Sequence, residues 1–128
     1  MKEKKFHSEL ERKIEQELAS LPTVRIEKEP PMLNRSSYIF RPDFTIETTD
    51  NMYIIELKTK IGPNDVAMVS GTYAGLPAQP IIISQDEPDS NTTNLAGRLN
   101  IMLISGAPSD AVKRIKQLLE PHEVENDR

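Results

Sequence analysis

The sequence predicts an α+β sandwich, a mixed central sheet flanked by helices. Three observations predict it. Helical and strand patterns follow one another in the order α-β-β-β-α-β-(α)-β-α, which calls for a sheet covered by helices. The first three strands lie as close together as hairpin partners, whereas the later ones are separated by helical segments, so antiparallel and parallel pairs are both expected. Two runs, Ile81-Ile82-Ile83 and Ile101-Met102-Leu103-Ile104, are continuously apolar, as strands buried on both faces are.

The elements are justified in order. Phe6, Leu10, Ile14, Leu18 and Leu21 recur at helical spacing, so an amphipathic helix is expected over 5–21, stopped by Pro22. Val24 and Ile26 alternate with Arg25 and Glu27, which reads as a strand over 23–29 closed by Pro30-Pro31. A loop is expected over 32–37. Strands are expected over 38–47 and 52–60, joined by the polar Thr48-Thr49-Asp50-Asn51. Gly62-Pro63-Asn64-Asp65 is a turn and cap opening a helix to about Tyr73. A strand follows over 79–84, an acidic surface loop over 85–91, a short helix over 94–98 and a strand over 100–105. The last helix begins at Pro108-Ser109-Asp110 and ends before Pro121, with Ala111, Ile115, Leu118 and Leu119 on one face. A single domain is expected over 1–120. The last nine residues hold four acids and one base, −3 of the chain's net −4, and 121–128 is expected to be a flexible acidic tail.

Composition narrows the function. With 128 residues and 37% apolar side chains the chain can bury a core. No apolar run approaches the ~18 residues of a helical membrane span, and no secretory h-region is visible at the start, so a cytoplasmic protein is expected. The absence of cysteine excludes disulfides, thiolate metal sites and cysteine nucleophiles. Only His7 and His122 remain, near the two ends, which disfavours a tetrahedral zinc site or a Ser–His hydrolase. A near-neutral body does not advertise nonspecific nucleic-acid binding, though a local basic stripe could serve.

The informative stretch is Arg41 to Lys60, RPDFTIETTDNMYIIELKTK. An even-length hairpin loop over 48–51 sets Phe44 opposite Ile55 and Ile46 opposite Tyr53, on one apolar face. The same register sets Asp43 opposite Glu56 on the other face, with Lys58 one step along. A one-residue slip would place the Asp43 carboxylate among apolar side chains at high cost. Two neighbouring carboxylates call for a cation, and oxygen donors without sulfur suit Mg²⁺ or Mn²⁺. Such an ion activates water and stabilises phosphoryl charge, and an adjacent lysine neutralises the developing anion. These parts suit metal-assisted phosphodiester hydrolysis.

Pro42-Asp43, twelve residues, then Glu56-Leu57-Lys58 resembles the signature of the PD-(D/E)XK nuclease superfamily, whose restriction-endonuclease-like fold has an αβββαβ core. The resemblance covers about residues 5–84 in architecture and leaves the C-terminal strand and helix as an addition. It implies an Mg²⁺-dependent endonuclease acting on DNA, with Mn²⁺ as a substitute. Asp43, Glu56 and the Leu57 backbone carbonyl would be metal ligands, and Lys58 would assist the attacking water. It further implies an acidic residue on the first helix; Glu11, beside the buried stripe, is preferred, with Glu9, Glu15 and His7 as alternatives. Arg41 and Lys60 are candidate phosphate contacts. Some relatives carry a glutamine four residues before a tyrosine on the next helix; here Val69 stands in that place and Tyr73 is assigned to the core. A homodimer is expected by analogy. The alternatives are a nuclease fold that has lost cleavage and serves as a nucleic-acid-binding or scaffolding subunit, and an interaction module of unrelated α/β fold.

Overall fold

The computed structural model describes residues 2–119, and the side chains from residue 5 onward. The expectation for 121–128 lies outside the described residues. Eleven elements run in the order α1 (Lys2–Leu18), β1 (Arg25–Lys28), β2 (Met32–Leu33), β3 (Ile39–Phe40), β4 (Phe44–Glu47), β5 (Met52–Lys58), α2 (Pro63–Thr72), β6 (Gln79–Ser84), α3 (Ser90–Arg98), β7 (Met102–Ser105) and α4 (Pro108–Leu119). Five strands form one mixed sheet in the order β1-β4-β5-β6-β7. The β1–β4 and β4–β5 pairs are antiparallel, while β5–β6 and β6–β7 are parallel. The expected α+β sandwich, with its added C-terminal strand and helix, is thus the architecture found.

Each face of the sheet buries its own core. On one, Phe6, Leu10, Ile14 and Leu18 of α1 and Ala111, Val112 and Ile115 of α4 pack against Phe44, Ile46, Tyr53, Ile55, Leu57, Ile81 and Ile83. On the other, Val66, Val69 and Tyr73 of the α2 region and Ala96 of α3 pack against Ile54 and Ile82. The run Ile81-Ile82-Ile83 therefore serves both layers, with all three side chains fully buried. The face carrying Glu56 is consequently covered by α2 and α3 rather than open to water.

Three elements differ from expectation. The strand over 38–47 is broken: Ile39–Phe40 pairs instead with Met32–Leu33 in a small antiparallel ribbon, and Pro42 separates it from β4. The missing N–H of Pro42 ends the ladder there. The expected loop over 32–37 therefore contains β2. The short helix begins at Ser90 rather than residue 94, because Asp89 Oδ1 accepts the Thr92 N–H at 2.8 Å and caps it. Among the described residues no helix is long and apolar enough to cross a membrane.

Candidate active site

The β4–β5 pairing sets Phe44 opposite Ile55 and Ile46 opposite Tyr53, the register that the hydrophobic pattern predicts. Asp43 stands just before β4, in the bend that Pro42 forces. Its backbone carbonyl accepts the Glu29 N–H at 3.0 Å, and its Oδ2 accepts the Leu57 N–H at 2.8 Å. The carboxylate thus takes up a donor that β4, starting only at Phe44, no longer pairs. That bond fixes Asp43 beside the last residues of β5.

Glu56 belongs to that strand end and lies half-buried. Its Oε2 accepts the Tyr73 hydroxyl proton at 2.6 Å. Burial pushes the Glu56 pKa above its ordinary value of 4.5, the bond from Tyr73 opposes this, repulsion from Asp43 adds to it, and Lys58 opposes it. The two carboxyl groups are therefore close neighbours. Tyr73 has its own pKa raised, through burial first and then the bond to Glu56, so it stays a protonated donor at any physiological pH.

Lys58, two residues along the same face, ends β5 with its Nζ 3.8 Å from Asp65 Oδ1. Asp65 is itself held by the Gly62 N–H, donated to its Oδ2 at 2.8 Å in the first turn of α2. Glu56, Lys58, Asp65 and Tyr73, with Phe40, Arg41, Met68, Val69 and Thr72, line a cleft of about 150 Å³. Arg41 reaches back to donate to the Glu29 carbonyl at 3.4 Å.

The structure brings together Asp43, Glu56, the Leu57 backbone and Lys58, with Arg41 in the cleft wall. Glu11, like Asp43, does not line the cleft itself, and its carboxylate lies 3.5 Å from Lys28 Nζ on the strand paired with β4. His7 meets the Phe6 ring at a tilt of 56°, and its Nε2 is buried without a hydrogen-bond partner among the described residues. Neither Glu9, Glu15 nor Lys60 lines the cleft. Two participants escape sequence reasoning. Tyr73 has its ring in the core as expected, yet its hydroxyl belongs to Glu56. Asp65 is legible in sequence only as a cap residue, and its contact with Lys58 depends on where α2 starts.

Among the described residues no three His, Cys, Asp or Glu side chains cluster around a common point. The donor set is two carboxylates. Mg²⁺ retains several waters and is commonly held by one or two carboxylates, so this set fits such an ion.

No family model and no curated protein matches the sequence. Several solved structures share the fold. VC1899 from Vibrio cholerae superposes with a TM-score of 0.62 at 20% identity, over 89% of this chain and 32% of that one. Can2 from Sulfobacillus thermosulfidooxidans, solved in complex with cyclic tetra-adenylate, gives 0.68 at 16% identity, over 89% and 35%. AF1548, a protein of unknown function, gives 0.62 at 14% identity, over 94% and 74%. The chain spans about a third of the length of the first two.

Proposed function

We propose that the chain is a divalent-metal-dependent endonuclease of the PD-(D/E)XK type that hydrolyses DNA phosphodiester bonds. The observation that carries this reading is the meeting of Asp43 and Glu56 at the β4–β5 strand end, with Lys58 on the same face. A fold neighbour solved with a cyclic oligonucleotide lends support to a phosphodiester ligand.

Asp43 and Glu56, with the Leu57 carbonyl, would hold Mg²⁺ or Mn²⁺. The bound ion would supply Lewis acidity toward a phosphoryl oxygen. The chain's own residues do the rest. Asp43 is oriented by the Leu57 N–H and Glu56 by the Tyr73 hydroxyl, so neither carboxylate must be ordered when the substrate arrives. The Lys58 ammonium orients the attacking water and offsets negative charge developing on the phosphate. Its loose pairing with Asp65 at 3.8 Å leaves it free to turn toward that charge. Arg41 in the cleft wall suits a flanking phosphate.

The test is cleavage of plasmid, single-stranded and branched DNA with Mg²⁺ or Mn²⁺. Asp43→Asn and Lys58→Ala are each expected to lower the rate by about 100-fold or more. Variants that cut as well as the wild type, or a wild type that cuts none of these substrates, would refute the proposal. A second reading, a nuclease fold retired to nucleic-acid binding or scaffolding, is favoured by one observation. Lys58 is paired with Asp65 and Glu56 with Tyr73, so these polar groups have partners without a metal. That reading predicts no Mg²⁺ uptake dependent on the carboxylates.

A further inference from the structure

The β2–β3 ribbon presents an aromatic side chain that neither the core nor the proposed hydrolysis uses. Met32 and Phe40 turn inward onto the α2–α3 core, whereas Tyr38 is 67% exposed. Its placement is fixed by its neighbours. Asn34 Oδ1 accepts the N–H groups of Ser36 and Tyr38 at 2.9 and 3.0 Å, and Asn34 Nδ2 donates to the Thr72 carbonyl at 3.2 Å, tying the turn to the end of α2. Arg35 lies across Gly75, where any Cβ would overlap its side chain. The Tyr38 ring meets Phe40 edge-on with centroids 6.4 Å apart, and Phe40 meets Tyr73 likewise at 6.2 Å. Tyr73 then donates to Glu56. A ladder of three rings thus runs from open solvent to the candidate carboxylate.

We infer that single-stranded DNA enters along this ladder, with an unstacked base lying on Tyr38 while neighbouring phosphates pass Arg41 and Lys58. The inference rests on reading the cleft as a phosphodiester site and names its substrate class. A paired base hides its faces against its neighbours, so only an unpaired one can stack on a side chain without the cost of unpairing. The two ring-to-ring steps span the rise of roughly three or four nucleotides at ~3.4 Å each, so one short strand can place a base on Tyr38 and a phosphate at Lys58. Arg35 on the same turn, with Arg41 and Lys58 in the cleft, supplies positive charge that a chain of net −4 lacks overall. A second copy of the chain fits less well. Leu33, Tyr38, Ile39 and Met68, the exposed apolar side chains of the ribbon and of α2, offer on the order of 500 Å² against the ~800 Å² each partner gives a stable interface.

The experiment is fluorescence anisotropy of the full chain with a short labelled single strand and with the matching duplex, in EDTA so that nothing is cut. The single strand is expected to bind more tightly than the duplex. Tyr38→Ala should weaken single-strand binding by roughly tenfold, and Tyr38→Phe should keep it. Equal affinity for strand and duplex, or an unchanged Tyr38→Ala, overturns the inference. So does a Tyr38→Ala variant that splits a dimer in sedimentation while its DNA affinity stays the same. The two claims fail separately: a protein that binds through Tyr38 but never cuts refutes hydrolysis alone. One that cuts while ignoring Tyr38 refutes the ladder alone.

Discussion

Glu56 is drawn in two directions by its neighbours, and the balance has measurable consequences. Burial and Asp43 favour its protonated form, while Tyr73 and Lys58 favour the charged one; the net shift is upward from 4.5. A folded-state pKa above the unfolded value means that folding takes up a proton across that interval, so stability falls as pH rises through it. Glu56→Gln removes this loss. Thermal melts should show the variant gaining a few degrees over the wild type at pH 7 without metal and gaining nothing at pH 4. Tyr73→Phe deletes the donor that holds Glu56 charged. It should cost about 1–2 kcal/mol in denaturant unfolding and move the acid limb of the pH–rate profile upward. An unmoved limb would separate Tyr73 from the carboxylate's chemistry.

Among the elements, what the sequence showed and what it hid have physical causes. The β4–β5 register was legible because a one-residue slip would turn Phe44 and Ile46 away from the face of Tyr53 and Ile55 and set the Asp43 carboxylate among apolar side chains. The site inherits its geometry from that register, so Asp43, Glu56 and Lys58 could be placed from the same pattern. β6 was legible as an unbroken isoleucine run between two apolar layers, and Ile82→Ala should cost about 2–5 kcal/mol by calorimetry. The β2–β3 ribbon was not legible, since two-residue strands carry no period. The start of α3 was hidden because Ser90–Asn94 is wholly polar and a side-chain bond begins the helix. The Thr92 N–H holds the Asp89 pKa below its ordinary 3.8, so this cap stabilises fully above that pH and fades as pH falls from there through the lower folded value. Asp89→Ala should therefore lower the melting temperature at pH 7 and lose that effect in strong acid. Tyr73 was hidden for another reason: nothing in a sequence tells whether the hydroxyl of a buried ring faces a carboxylate.

For the molecule as a whole, acidic charge and the proposed nucleic-acid substrate are reconciled by distribution. Twenty acids face sixteen bases, so no broad electrostatic field gathers DNA. Contacts would be confined to Arg35, Arg41 and Lys58. Three phosphate contacts correspond to a slope of about −2 in log affinity against log salt for a single strand. Binding isotherms over a range of salt should return a value near this, and a much steeper slope would place the interface elsewhere. The sandwich architecture itself is common ground with VC1899, Can2 and AF1548 and fixes no activity. The activity rests on whether one strand end can hold a divalent cation. Calorimetric titration of Mn²⁺ into the wild type and into Asp43→Asn and Glu56→Gln asks this without DNA. Uptake by the wild type that either substitution abolishes is the predicted result; no uptake, or the same uptake by all three, would contradict it.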